Sequence, residues 1–398
     1  MSDKPQIAIL GAGPIGLEAA LAAAEAGRSF TVYEAAPRIA GHVRRWAHVR
    51  LFTPWPLNVS PRMRRALTNT GRRVPDDDAC PTGGELVERV LEPVAELPEL
   101  RGHLRLGVEV RRVGRRGLLK HEEIGSAERA SRPFRLLVRD AGGRERVEEV
   151  AVVLDCTGNS VPNPLGDGGI PALGEEALDV GLVCHDIPDL EREVESWRGK
   201  KILVVGAGYS AQTAARDLME LDSGTEVAWV LRREQPSWGL VEDDPLPERY
   251  RLGRAAADLA DNPPAGLEIH RGAVVDALAR DVGKIAVTLR CGNGTKALSV
   301  DRILALTGRV GDHQLYRQLQ VHECYATSGP MKLAAALMGA DGSTGGDCLA
   351  QTSQGVETLT HPEPGFFILG SKSYGRRTDF LMRVGWQQVD EVFQLLRA

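Results

Sequence analysis

Two glycine patterns about 195 residues apart constrain this chain more than any other feature of its 398 residues. The first, Gly11-Ala-Gly13-Pro14-Ile15-Gly16, comes after an apolar run from Ile7 to Leu10 and opens an alanine-rich helical stretch to about Ala26. A second apolar run, Phe30 to Tyr33, then ends at Glu34. The order is strand, tight turn, helix, strand. Gly11 permits the turn, Gly13 lets a phosphate approach the backbone, and Gly16 lets helix and strand pack closely. Bare N–H groups and the helix dipole then face the anion. The second pattern, Gly206-Ala-Gly208-Tyr209-Ser210-Ala211, lies between the run Ile202 to Val205 and a helix to about Leu221, with a strand from Glu226 to Leu231 after it.

These two units predict an α/β chain with two Rossmann-like dinucleotide-binding domains of the three-layer ββα kind, the second inserted in the first. The residues at the end of each second strand separate their ligands. Glu34 stands where a carboxylate accepts bonds from ribose hydroxyls and repels a 2′-phosphate, so the first site takes FAD or NAD. After the second unit come Arg232-Arg233, whose guanidinium groups suit a 2′-phosphate and so NADPH; the bland alternative is that they are merely solvated. A nicotinamide that donates a hydride and a flavin that accepts it together make a redox enzyme.

The remaining punctuation sets the boundaries. Thr82-Gly-Gly-Glu85 reads as a capping box that opens a helix to about Ala95. Alternating segments near Leu104 to Val113, Phe134 to Val138 and Val147 to Leu154 suggest an antiparallel patch. Further strands are expected at Leu267 to His270, Lys284 to Leu289 and Asp301 to Leu306, then a loop-rich region from about Gly339 to Pro364 and a last helix from about Thr378 to Leu396. The reading is an FAD-binding domain over residues 1–165, an NADPH-binding domain over 166–315, and the rest of the FAD domain over 316–398.

Composition mostly excludes. A net charge of -5 offers no basic footprint for nucleic acid. No stretch approaches the ~18 apolar residues of a membrane helix, and the N-terminus lacks the zones of a signal peptide, so a cytoplasmic protein is expected. The nine histidines show no paired metal-ligand spacing. The six cysteines (Cys80, Cys156, Cys184, Cys291, Cys324, Cys348) are scattered without C-x-x-C spacing, which removes the redox pair of a disulfide reductase. Cys348 sits in a loop as a reactive thiol or, as isolated cysteines usually are, an inert one.

With both fingerprints in hand, the chain resembles the two-dinucleotide-binding-domain flavoproteins, and within them the flavin-containing and Baeyer–Villiger monooxygenases. Asp155-Cys-Thr157-Gly158 and Leu306-Thr307-Gly308 look like the strand ends at which such chains cross between domains. Gly365 to Gly370 is similar to the terminal flavin motif, where the family usually continues with an aspartate bound to the ribityl chain; here Ser371 stands instead. Gly181 and His185 match the spacing of the monooxygenase fingerprint, whereas its phenylalanine position holds Asp179 and its proline arrives early. Asn58-Val-Ser60-Pro-Arg-Met63 is similar to the N-x-S-x-x-M stretch of flavin-containing monooxygenases. The resemblance implies FAD and NADPH as cofactors.

The candidate cofactor-binding residues are Gly11, Gly13, Pro14, Ile15, Gly16, Glu34, Arg50, Gly158, Gly370, Gly206, Gly208, Tyr209, Ser210, Ala211, Arg232 and Arg233. The candidate catalytic residues are Asn58, Arg50 and His185, and no metal is expected. Each catalytic candidate has a plainer alternative. Ser60-Pro61 is an ordinary N-cap pair that fixes Asn58's loop, and His185 also reads as a loop histidine. The aromatic segment Trp46 to Asn58 either lines the cavity beside the flavin or is a packed loop. Lys372-Ser-Tyr374-Gly-Arg376-Arg377 is either a positive charge for the reduced flavin or an exposed basic turn. The expected activity is an NADPH-dependent monooxygenase that inserts oxygen into a small nitrogen, sulfur or carbonyl substrate through a peroxyflavin, with O2 and that substrate as partners. The rivals are an NADPH-dependent reductase of a quinone, metal or protein acceptor, and a nonenzymatic nucleotide sensor. A homodimer is compatible with the sequence, and nothing in it demands one.

Overall fold

The computed structural model describes residues 7–178, 181–221, 224–241, 244–292, 294–340 and 351–397. They form two compact units, the first from residues up to 161 and from 310 onward, the second from 162 to 309. Both divisions fall a few residues ahead of the boundaries drawn from sequence.

In the first unit, β1 (Ile7–Leu10), β2 (Phe30–Glu34) and β3 (Val152–Asp155) belong to a five-stranded parallel sheet. Its order runs Phe366–Ile368, β3, β1, β2, Leu104–Leu106. β1 and β3 are buried along their whole length, as central strands covered on both faces must be. Helix α1 (Pro14–Glu25) covers one face, its alanine-rich sequence letting it lie close to the sheet and to the last helix, Met382–Leu395. A three-stranded antiparallel sheet (Val108–Arg115, Phe134–Asp140, Glu145–Val150) covers the other, with Val113, Phe134, Leu136 and Val150 facing Ala8, Leu10 and Val153 in one core. The expected antiparallel patch is therefore shorter than the alternation suggested. The first run breaks at Gly107 (φ +66) and the third at Ala151, and the pieces beyond those breaks join the parallel sheet.

The second unit repeats the plan. β4 (Lys201–Val205), β5 (Glu226–Leu231) and β6 (Arg302–Ala305) lie in a parallel sheet ordered Leu267–Arg271, β5, β4, β6, Val183–Cys184. Helix α2 (Tyr209–Glu220) and the helix Pro247–Asp261 pack on one face. The antiparallel strands Ala273–Asp281, Lys284–Cys291 and Gly294–Val300 pack on the other. Both units are thus Rossmann-like ββα layers, the second inserted in the first. Among the described residues no helix is long and apolar enough to cross a membrane.

Candidate functional site

Both glycine turns have the shape their sequences demand. A Cβ on Gly16 would stand 1.9 Å from the Gly11 carbonyl oxygen, and Gly11 itself takes φ +95 against the backbone of Cys156. Gly206 takes φ +128, and a Cβ there would come within 2.3 Å of the Leu306 oxygen. Gly13 and Gly208, by contrast, are the N-caps of α1 and α2, and nothing lies within 4 Å of where their Cβ would be. The turns are tight where helix meets strand and open in front of the helix ends. Neither N-cap uses a side chain, and Pro14 at the start of α1 has no N–H to satisfy. The remaining N–H groups of each first turn face outward, which suits a pyrophosphate. The residues present fit a dinucleotide in each unit.

Glu34 ends β2, and its carboxylate accepts from Ala12 N at 2.8 Å and from Ala36 N at 2.9 Å. It braces the turn while each oxygen keeps a lone pair for a ribose hydroxyl. In the second unit Arg232 and Arg233 come directly after β5, are exposed, and make no hydrogen bond or ion pair among the described residues. Arg232 is near enough to Asp167 to add to the lowering of that carboxyl's pKa, after the larger effects of Arg290 and the Gly168 amide. Tyr209 opens α2, and its hydroxyl donates to the Gly239 carbonyl at 3.3 Å. Ala211 is fully buried behind the turn, the helix-packing role its position implies. Ser210 is exposed.

Each catalytic candidate is engaged by its own surroundings. Asn58 is buried, and its amide is used within its own loop: Nδ2 donates to Thr53 O (2.6 Å) and Pro54 O (2.9 Å), and Oδ1 accepts from the Thr53 hydroxyl (2.7 Å). Ser60 caps the helix Pro61–Asn69 by accepting from Met63 N and donates to the buried Glu18. Arg50 is exposed and donates to the Cys80 carbonyl in an antiparallel bridge with Thr82. His185, in the other unit, has Nδ1 3.3 Å from Ala305 O, and Arg309 donates to its carbonyl and pairs with Asp186. Asp179 and Cys348 lie outside the described residues. Trp55 is 2% exposed under the Arg89 guanidinium, and Trp46 fills the space above Gly83, so these two indoles of the aromatic segment pack.

The C-terminal motif differs from both readings of it. Strand Phe366–Ile368 runs into a turn, Gly370–Tyr374, in which Lys372 is neither a free positive charge nor exposed. Its ammonium is buried and donates to Asp155 Oδ2 at 2.6 Å, Asp312 O at 2.9 Å and Thr157 Oγ1 at 3.2 Å. On the other side Gln388 of the last helix accepts from Gly370 N and donates to Ser373 Oγ. Sequence reasoning missed both clamps. Asp155 and Lys372 are too far apart in the chain to be paired by pattern. Gln388, however, was legible: it interrupts the apolar stripe Val384, Val389, Val392 with a polar group.

The described thiols give no redox pair. Cys80, Cys156, Cys184, Cys291 and Cys324 are free, and burial pushes the Cys156 thiol well above its usual range. No group of three or more His, Cys, Asp or Glu is placed to hold a metal among the described residues.

With this geometry in view, comparison with known proteins defines the class. The model of the pyridine nucleotide-disulphide oxidoreductases matches residues 63–325, and that of an NAD(P)-binding Rossmann-like domain matches residues 9–69. The chain belongs to the pyridine nucleotide-disulphide oxidoreductase family, a family of flavin-dependent oxidoreductases that use NAD(P)H. No curated protein matches it. Among solved structures it is similar to a bacillithiol disulfide reductase from Bacillus cereus (TM-score 0.68, 16% identity, 99% of each chain). It is also similar to an ornithine N-hydroxylase from Kutzneria sp. 744, a structure with reduced FAD, NADP+ and L-ornithine (TM-score 0.64, 15% identity, 99% of this chain and 100% of that one). A third is L-lysine 6-monooxygenase from Pseudomonas syringae (TM-score 0.62, 16% identity, 99% of each chain). At these identities the likeness is one of fold.

Proposed function

We propose that this chain is an NADPH-dependent, FAD-containing monooxygenase that inserts oxygen into a small nitrogen, sulfur or carbonyl substrate. The observation that carries the NADPH half is the exposed couple Arg232–Arg233, engaged in no ion pair among the described residues, in the unit whose helix end at Gly208 is open. Opposite choices at Glu34 and at Arg232–Arg233 assign different dinucleotides to the two units, FAD to the first and NADPH to the second. Bound FAD would supply hydride acceptance from NADPH and transfer of two electrons to O2, one atom of which enters the substrate while the other leaves as water. The chain's own residues bind and orient. Glu34 and the α1 N-terminus hold one dinucleotide, and the α2 N-terminus with the two arginines holds the other.

The monooxygenase branch is supported by the cysteines, which carry no C-x-x-C spacing and are free among the described residues, so no dithiol pair for a disulfide substrate is found there. Fold likeness to hydroxylases of ornithine and lysine makes an amine nitrogen the first substrate class to try. One observation favours the second reading, a reductase that passes electrons to a quinone, metal or protein. Asn58, the residue of the stretch similar to the monooxygenases', has both amide N–H groups and one acceptor position of Oδ1 used inside its loop. The test is turnover with NADPH under 18O2 over a panel of amines, thioethers and ketones. Heavy oxygen in a product supports the monooxygenase. NADPH oxidation that needs an added quinone or metal complex, with no labelled product, supports the reductase.

A further inference from the structure

We propose that Lys372 is a positioning residue for FAD: its buried ion pair with Asp155 fixes the turn Gly370–Tyr374 so that Ser371 Oγ becomes the side-chain group offered to the hydroxylated chain beside the pyrophosphate. The inference rests on FAD occupying the first unit.

The turn is bound on two sides. Lys372 is 1% exposed and Asp155 0%, and Asp155 uses its second oxygen to accept from Thr157 N (3.1 Å) and Thr157 Oγ1 (2.6 Å). One ammonium thus ties the end of β3 to the turn, and through Asp312 O it also ties the segment that begins after residue 309. Chain passage there requires Gly311, whose Cβ would come within 2.5 Å of the Lys372 side chain. From the other side, Gln388 holds Gly370 N at 2.9 Å and Ser373 Oγ at 3.0 Å, while Ser373 Oγ donates to Gly370 O at 2.7 Å. Asn159 completes the frame, with Nδ2 3.3 Å from both Ser371 O and Gly375 O. A buried ion pair with every donor engaged is weak evidence for net stability and stronger evidence for a fixed geometry.

Within this frame Lys372, Ser373 and Tyr374 are buried, and Ser371 is partly exposed with no hydrogen bond to its hydroxyl among the described residues. Its Oγ is 3.4 Å from where a Gly158 Cβ would be. Gly158 is next to Thr157, whose Cα is 3.3 Å from the corresponding point on Gly11, and a Cβ on Gly370 would stand 3.0 Å from the Ile15 side chain of α1. The turn therefore flanks the fingerprint at both the strand end and the helix start. The stretch of FAD next to its pyrophosphate is a chain of hydroxyls, which a neutral hydroxyl can pair with as donor or acceptor. The turn thus offers a serine hydroxyl beside the fingerprint, and keeps its carboxylate one layer down on Asp155.

The experiment titrates FAD into deflavinated protein, following flavin fluorescence, and records the thermal midpoint of each apoprotein. Wild type, S371A, S371T and the charge-free pair D155N/K372M are compared; the amide oxygen that D155N introduces leaves Thr157 an acceptor. S371A is expected to weaken FAD binding roughly three- to tenfold, the size of one neutral hydrogen bond, with an unchanged apoprotein midpoint. S371T should restore it. D155N/K372M should weaken binding to a similar extent, and adding S371A to it should cost little more. S371A within twofold of wild type overturns the proposal, whether or not D155N/K372M folds, and so does wild-type affinity in a folded D155N/K372M. A wild-type protein that binds no FAD would instead refute the cofactor assignment itself.

Discussion

Arg232 and Arg233 are the residues on which cofactor choice turns, since no hydrogen bond or ion pair among the described residues occupies their guanidinium groups. Replacing both with alanine should raise the KM for NADPH roughly ten- to hundredfold, the worth of charge-assisted hydrogen bonds to a phosphate, and leave that for NADH nearly unchanged. Steady-state kinetics with each nucleotide measures this. Asn58 is a structural prediction in the opposite sense. Its three loop hydrogen bonds are buried, so Asn58→Ala should cost about 1–3 kcal/mol of unfolding free energy, while kcat in the surviving folded protein stays within a few-fold. A large loss of kcat at unchanged stability would return Asn58 to the reaction centre. His361 sets a pH dependence. Burial lowers its pKa from 6.5 to about 4, and its Nε2 has no partner among the described residues. The unfolded chain therefore binds the extra proton first. Stability from this residue is fully present above pH 6.5 and falls as pH drops toward 4. In His361→Gln the fall of the melting temperature over that window should be shallower.

At the scale of elements, the glycine turns separate the two units experimentally. Gly206→Ala puts a methyl group 2.3 Å from the Leu306 oxygen at a backbone φ of +128, so the turn before α2 must distort. The purified variant should stay yellow, because the first unit is untouched, yet fail to be bleached by NADPH under anaerobic conditions. Full FAD content and normal bleaching would contradict the placement of NADPH in the second unit. The same elements show what was legible in advance. β1, α1, β2 and their counterparts β4, α2, β5 could be read closely, because the glycine spacing fixes where strand becomes helix and the acid or arginine pair marks where the second strand ends. The helix Pro247–Asp261 was not read. Its apolar face is mostly alanine (Ala256, Ala257, Ala260), and so weak a stripe gives little periodic signal. Strand Ala273–Asp281 gives little alternation because a bulge between Val275 and Ala277 interrupts it, and Gly294–Val300 because it is exposed along most of its length.

At the scale of the molecule, the two-site plan was legible because each site is local: a turn, a helix end and one or two residues some 18–25 positions on. The catalytic centre was not, because its parts come from distant segments. Asn58 and His185 stand out by motif spacing and Arg50 by its place in the aromatic and polar segment Trp46 to Asn58, and each is occupied by neighbours no such pattern reveals: Thr53 and Pro54, Ala305, and Cys80. The Asp155–Lys372 pair, joined from either side of the whole inserted second unit in sequence, is the converse case. The proposed function requires one chain to take a hydride from NADPH onto FAD and to pass the electrons to oxygen. Its most direct test reduces the protein anaerobically with one equivalent of NADPH and then mixes it rapidly with oxygenated buffer. The monooxygenase account predicts that oxidised-flavin absorbance returns only after a lag of seconds, lengthened by bound NADP+, with peroxide released after the lag. Return without a lag, or reoxidation so slow that only an added acceptor drives it, would contradict the account and leave the reductase reading in its place.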